Sequence, residues 1–249
     1  MKIHWEMRRL APRPILDVAT QENLLEQTNL IQAETTVELE KKRARQLYKQ
    51  ARQNAWFNPI IESLRGLCGE GELCMYCSST EPSQVEHFRP LGLFPRLAFE
   101  YNNYLWVCDI CNRTHKGEKF PPDNCLGAAL LNPLDDDVWE YFFINEELGV
   151  LVPRIDPATG EPFSRATSTC EIVGIDRDNV QIKRRRRYRG LRLAAQAALD
   201  DFNAGVLEQA ELEALIEEWR SEPYQADIAD YFLNGPGTSK EPFKSLLQR

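Results

Sequence analysis

Four cysteines stand in two Cys-x-x-Cys pairs, Cys74/Cys77 and Cys108/Cys111, with thirty residues between the pairs. Each pair suits a tight knuckle that aims two sulfurs at one point. Two knuckles together make a tetrahedral four-thiolate site of the kind that holds structural Zn²⁺. The acid–histidine step Glu86-His87 lies between the pairs, and Asn103 and Asn112 frame the second pair. Paired cysteines alone imply only a fold stapled by zinc. A carboxylate, an imidazole and two amides interleaved with them imply chemistry.

Phosphodiester cleavage needs a water, a base to activate it, and a cation to offset charge on the phosphate and the leaving oxygen. His87 is the candidate general base, because an unperturbed imidazole titrates at about 6.5, close to neutral pH. Glu86 is the candidate ligand for a catalytic Mg²⁺ or Mn²⁺, as a hard oxygen donor; the plainer alternative is a structural acceptor. Neighbouring residues of a strand point to opposite faces. Residues 86 and 87 can therefore serve one site only if the strand twists or bulges there, or if one acts through a water.

The order CxxC…EH…N…CxxCN…K, running from Cys74 to Lys119, resembles that of HNH (ββα-metal) endonucleases. Further features are similar to the PtuB-like and retron-associated HNH proteins of prokaryotic defence operons, in which the HNH protein works beside an ATPase. They are Glu86-His87-Phe88-Arg89-Pro90, the Asn112-x-x-x-Lys116 tail, and Leu131-Asn132-Pro133 followed by acidic residues. The resemblance implies a metal-dependent nuclease with DNA as its main substrate. RNA is the alternative polymer, and a non-catalytic zinc-stapled binding module is the alternative function. Asn112 matches the last position of the motif, where an amide oxygen completes the cation site, although an asparagine there could also cap a helix. Asn103 matches the middle position and resembles the residue that orients the base histidine, against the alternative of an ordinary turn asparagine. Arg89 and Lys116 are candidate phosphate contacts. His115, three residues beyond Asn112, is a third cation ligand, a phosphate contact or a plain surface histidine. Asp135, Asp136 and Asp137 read as an ordinary acidic turn.

The elements that must position these residues follow from the patterning. Residues 20–67 read as helical, with Val37, Ala44, Leu47, Tyr48, Ala51 and Ala55 on one face and Pro59 marking a break. Gly66, Gly69 and Gly71 loosen the chain before the first knuckle. Residues 84–88 and 104–107 are short strands joined by a loop, and a helix starts near Asp109. This gives a strand–strand–helix unit too small to be stable on apolar burial alone. Residues 139–145 and 150–153 predict a β-hairpin closed by 146–149, and 154–169 are irregular. Helices return from Arg177, with Tyr188, Leu191, Ala195, Ala198, Leu199 and Phe202 on one face and Gly205 at its end. A second helix covers 207–220, a third opens at Ser221 and Pro223, and the tail from residue 234 is mobile. The fold class is α+β and mainly helical. It divides into an N-terminal helical region (1–67), a nuclease core with the zinc site (68–125), a hairpin extension (126–170) and a C-terminal helical region (171–249). A strand at 3–5 leads in.

Composition sets the remaining bounds. The chain has 249 residues and a net charge of −8, enough to bury a real core. No apolar stretch approaches a membrane span, and the first residues lack the apolar core of a signal peptide, so the expected compartment is the cytoplasm. An odd count of seven cysteines, four of them in pairs, favours metal binding over disulfides; Cys68, Cys125 and Cys170 are expected to be small buried apolar residues. From Leu193 onward there are eleven acids and four bases, a net of −7 that leaves the first 192 residues at −1. Two basic runs lie in that nearly neutral part, and both are candidate phosphate contacts. One is Lys41-Lys42-Arg43 with Arg45, Lys49 and Arg52. The other is Lys183, Arg184, Arg185, Arg186 and Arg187 with Arg189 and Arg192. A solvated helix face is the plainer reading of the first. No GxxxxGK[ST] loop occurs, so any ATP dependence must come from a partner. The acidic C-terminal region and the resemblance together imply a partner protein, an ATPase from the same operon.

Overall fold

The computed structural model describes residues 13–68, 71–81, 83–121, 130–221 and 226–249. The expected strand at 3–5 and Cys125 lie outside them. The N-terminal part comprises α1 (Val18–Gln32), α2 (Val37–Ala51), a 3₁₀ turn (Ala55–Phe57) and α3 (Asn58–Gly66). The Asp17 carboxylate accepts from the Thr20 N–H and the Thr36 hydroxyl from the Leu39 N–H, so each of the first two helices starts on a side-chain cap. Pro59 sits in the first turn of α3, where its missing N–H costs nothing. Helix α2 buries Ala44, Leu47 and Ala51. Val37 and Ala55, expected on the same face, are exposed: the first lies at the helix start and the second beyond its end.

Strands β1 (Ser83–His87) and β2 (Tyr104–Cys108) pair antiparallel, with Glu86 opposite Leu105 and His87 opposite Tyr104. The expected α-helix after β2 is instead a π-helical segment, Ile110–Lys116. Its i→i+5 bonding shows in the Gly117 N–H, which donates to the Asn112 carbonyl at 2.6 Å. With about 4.4 residues to a π turn, residues five apart stand about 50° apart, whereas an α-helix would set them about 140° apart. Cys111 and Lys116 are five apart and both are buried. Pattern reading has no template for that winding.

The second half runs α4 (Val138–Tyr141), β3 (Phe142–Asn145), β4 (Val150–Pro153), α5 (Ser164–Val173) and α6 (Asp178–Asn203), then α7 (Gln209–Ser221), α8 (Ala226–Ala229), a second π turn (Asp230–Asn234), a 3₁₀ turn (Pro236–Ser239) and α9 (Phe243–Leu247). The hairpin begins three residues later than the pattern predicts, because Asp137 caps a helical turn by accepting from the Trp139 N–H. Its Gly149 has a left-handed φ of 75°, and a Cβ there would lie 2.2 Å from the Gln181 carbonyl oxygen of α6. Only glycine lets the hairpin lie this close to that helix. Helix α5 occupies a stretch expected to be irregular. Its buried positions, Ala166, Thr169 and Val173, follow a helical spacing but are too small and too polar to register as an apolar face.

The tail is packed, not mobile. Phe243 is fully buried with its ring 4.9 Å from that of Phe232, Leu246 is buried, and Lys240 Nζ lies 2.6 Å from Glu146. Two apolar residues three apart give too short a pattern to predict this. Among the described residues no helix is long and apolar enough to cross a membrane.

Packing of the tail carries a testable cost. Phe243→Ala should lower the unfolding free energy by about 3–5 kcal/mol, measured by urea denaturation.

Candidate metal centre and active site

The four cysteines converge. Their sulfurs all lie within 4.8 Å of one another and all four residues are buried. Metal–sulfur bonds of about 2.3 Å in a tetrahedron give sulfur–sulfur edges of about 3.8 Å, and Cys77 and Cys108 stand 3.8 Å apart. The donor set and spacing therefore fit a zinc ion. The first knuckle closes through Ser78 N–H to the Cys74 carbonyl and Cys74 N–H to the Ser79 carbonyl, both 2.9 Å, and is tied to β2 by Met75 N–H to the Trp106 carbonyl at 2.9 Å. Its left-handed residue is Ser78, with φ 55°. Gly66, expected to loosen this approach, sits inside α3.

Four thiolates around a dication leave a net charge of −2. Arg177, just before α6, answers part of it. Its guanidinium donates to Cys111 Sγ at 3.2 Å and to Cys77 Sγ at 3.4 Å. Burial alone would lower its pKa, but the Cys111 and Cys77 sulfurs more than offset that and hold it raised. Nothing in the sequence flags this arginine, which lies 100 positions from Cys77.

On β1, His87 is buried between aromatic rings, with Tyr48 of α2 at 4.4 Å and Tyr104 of β2 at 5.2 Å. Its Nε2 lies 2.9 Å from the Ala98 carbonyl oxygen, which also accepts from Tyr104 Oη at 2.6 Å. A carbonyl only accepts, so Nε2 must carry the proton and the lone pair must sit on Nδ1. Burial depresses the imidazole pKa to about 4, well below the near-neutral value that made His87 the candidate base, so the ring is neutral at pH 7 but a weaker base than an open imidazole. Asn103 clamps the loop that carries Ala98. Its Oδ1 accepts from the Arg89 N–H at 2.7 Å, and its Nδ2 donates to the Arg89 and Leu97 carbonyls at 3.0 and 3.1 Å. Asn103 thus reaches His87 through the backbone rather than by touching its ring.

Glu86 points elsewhere, as strand alternation requires. It is buried, and Lys116 Nζ donates to its Oε1 at 2.5 Å and to the His87 carbonyl at 2.9 Å. Burial pushes the Glu86 pKa up and the Lys116 pKa down, and each partner's charge opposes the shift. Lys116, expected to contact phosphate, is instead fully buried; the π winding turns it inward. Asn112 is half-buried in the first turn of the π segment. The His115 ring lies over Gly174, where a Cβ would come 2.5 Å from Nδ1, and burial, with Arg177 next, lowers its pKa. His115 therefore faces the C-terminal half of the chain.

Arg89 lies over two rings, 5.4 Å from the Phe94 centroid and 5.6 Å from that of Phe120. Among the described residues it makes no ion pair, which leaves a positioned cation half open to solvent. The acidic turn is structural. Asp136 pairs with Arg165 at 2.6 Å, Asp135 accepts from Asn132 Nδ2 at 2.5 Å, and Asp137 caps α4. Three of the seven bases of the second run are paired: Arg184 with Asp176 at 3.0 Å, Arg187 with Asp227 at 2.9 Å and the exposed Lys183 with Glu81 at 3.5 Å; Arg186, Arg189 and Arg192 stay exposed. Cys68 is buried and Cys170 half-buried, as small apolar residues would be.

No family model matches the chain. It is 34% identical over 109 residues to the Septu protein PtuB of Bacillus mycoides (strain KBAB4). The match covers 34% of this chain and 36% of that protein, so the chain spans about a third of that relative's length.

Arg177 supplies the first prediction at this centre. Arg177→Met should release zinc to a chromogenic chelator about 10–100-fold more readily than the wild type, as expected for loss of an outer partner of a metal ligand. Equal release rates would show that the guanidinium leaves the thiolates unaffected.

Proposed function

We propose that the chain is a metal-dependent HNH endonuclease that hydrolyses nucleic-acid phosphodiester bonds, DNA first among them, as the effector of an anti-phage defence complex with an ATPase partner. The observation that carries the reading is the tautomer of His87. Besides packing against two aromatic rings, His87 is held by the Ala98 carbonyl with Nε2 at 2.9 Å, which leaves a neutral ring with its lone pair on Nδ1, the form that can accept a proton.

In this reading Nδ1 of His87 takes a proton from the attacking water as the water closes on phosphorus. Asn103 keeps the Ala98 carbonyl in place and so holds the ring. Arg89, set over its two rings, holds a non-bridging phosphate oxygen. By the resemblance, Glu86 and Asn112 would hold a divalent cation, Mg²⁺ or Mn²⁺, to supply charge neutralisation at the phosphate; Glu86 is buried on the strand face opposite His87 with Lys116 on its carboxylate, so it would have to leave Lys116 to do so. One carboxylate and one amide suit an ion that keeps most of its waters. The four cysteines take structural zinc and no part in the reaction. The likeness to a Septu protein supports the defence setting.

The test is cleavage of plasmid DNA and of total RNA in Mg²⁺ or Mn²⁺ with the partner ATPase present, comparing wild type with His87→Ala at equal zinc content. His87→Ala should lose at least about 10²-fold in rate while keeping its zinc. A zinc-loaded wild type that leaves both polymers intact would remove the nuclease reading and leave a binding module.

A further inference from the structure

Helix α2 carries a feature that the cleavage chemistry does not use. From residue 41 through the C-cap Arg52 to residue 53 the chain has no carboxylate and six bases. Lys42, Arg45, Lys49 and Arg52 recur at steps of three, four and three, and all four are exposed. That spacing sets them in one row along the helix, about 15 Å long at 1.5 Å per residue. The opposite face, Ala44, Leu47 and Ala51, is buried.

The row is fixed beside the candidate site. Arg45 donates to Glu118, two residues past Lys116, at 3.0 Å. Arg52 reaches Gln84, two residues before Glu86, at 3.5 Å. Between them Tyr48 donates to the Val85 carbonyl at 3.3 Å and lays its ring against His87. Glu40, near the start of the same helix, pairs at 2.7 Å with Arg96 of the loop between β1 and β2. Helix α2 is thus locked to both the strand and the loop that hold His87. Among the described residues Lys42 and Lys49 make no ion pair, so two ammonium groups stand open on this ridge in a chain of net charge −8. An acidic protein needs such a local ridge to hold a polyanion against its overall repulsion.

We infer that the Lys42–Arg45–Lys49–Arg52 row is the track on which the backbone of the nucleic acid lies as it passes the candidate site. A row of about 15 Å runs beside about four phosphates of one duplex strand at ~3.4 Å per step. The row recognises charge and not sequence, because nothing in it reads a base edge. This inference rests on the nuclease reading and adds the binding surface that reading lacks.

The test uses the full zinc-loaded chain and fluorescence anisotropy of a labelled 20-base-pair duplex over a series of salt concentrations. Wild type is compared with Lys42→Gln/Lys49→Gln, which removes two exposed charges and no structural contact. The double variant should bind roughly tenfold more weakly, and its plot of log affinity against log salt should be shallower by about 1.8, the loss of two phosphate contacts. His87→Ala should bind as wild type does. If the double variant matches wild type in affinity and slope, the row is not the track and the nuclease reading stands. If duplex binding is unchanged and the variant instead fails to co-elute with the ATPase partner, the ridge faces protein and the inference is wrong. If wild type binds neither this duplex, its single strand nor an RNA of the same sequence, the nuclease reading falls and the track with it.

Discussion

Four sulfurs brought to one point govern the arrangement of everything near the candidate site. A sheet of two five-residue strands and one seven-residue helical segment cannot hold itself together in water. Cys74 and Cys77 tie the first knuckle to Cys108 at the end of β2 and Cys111 in the π segment. Register then does the rest. With β2 anchored at Cys108, pairing sets Glu86 and His87 opposite Leu105 and Tyr104. Asn112 follows Cys111 directly. Arg177 carries the same constraint outward, because its contact with two of the sulfurs fixes the start of α6.

Around this centre the protein buries groups that would each be costly alone. Leaving one member of a buried ion pair without its partner costs about 3–5 kcal/mol, so Glu86 and Lys116 need each other, and the second bond from Lys116 to the His87 carbonyl ties that pair to the imidazole. Asn103 satisfies three backbone groups of the loop at once. The outcome is a histidine whose ring, tautomer and neutrality are all set by neighbours that touch no substrate. Strand alternation separates Glu86 from His87, and the π winding brings Lys116 in to neutralise the side that His87 does not occupy.

Much of this was legible in the sequence, for identifiable reasons. Cys-x-x-Cys spacing is short-range geometry, so Cys74, Cys77, Cys108 and Cys111 could be grouped from spacing alone. Both strand pairs and the long helix from Asp178 carry clear period-two or period-3.6 patterns. Lys116 was misread because its burial depends on i→i+5 bonding, which a period of 3.6 does not describe. The roles of Arg177 at the sulfurs and of Tyr48 at His87 were invisible because each acts across a long sequence separation on a group that gives no local sign. The tail misled through its Gly, Pro and Ser content, which masks the two apolar residues, Phe243 and Leu246, that dock it. The small buried residues of α5 hid a helix in the same way.

The central claim is that the folded unit around the four cysteines holds His87 as a neutral imidazole with its lone pair on Nδ1. Nitrogen-15 NMR of the histidine side chains, with His87 assigned by its absence from His87→Phe, tests it most directly. At pH 7 the account predicts a protonated Nε2 and an unprotonated Nδ1. That pattern should persist to about pH 5, because burial holds the pKa to about 4 and protonation stays minor a full unit above it. The opposite tautomer at pH 7, or titration at about 6.5 as in an open imidazole, would contradict it.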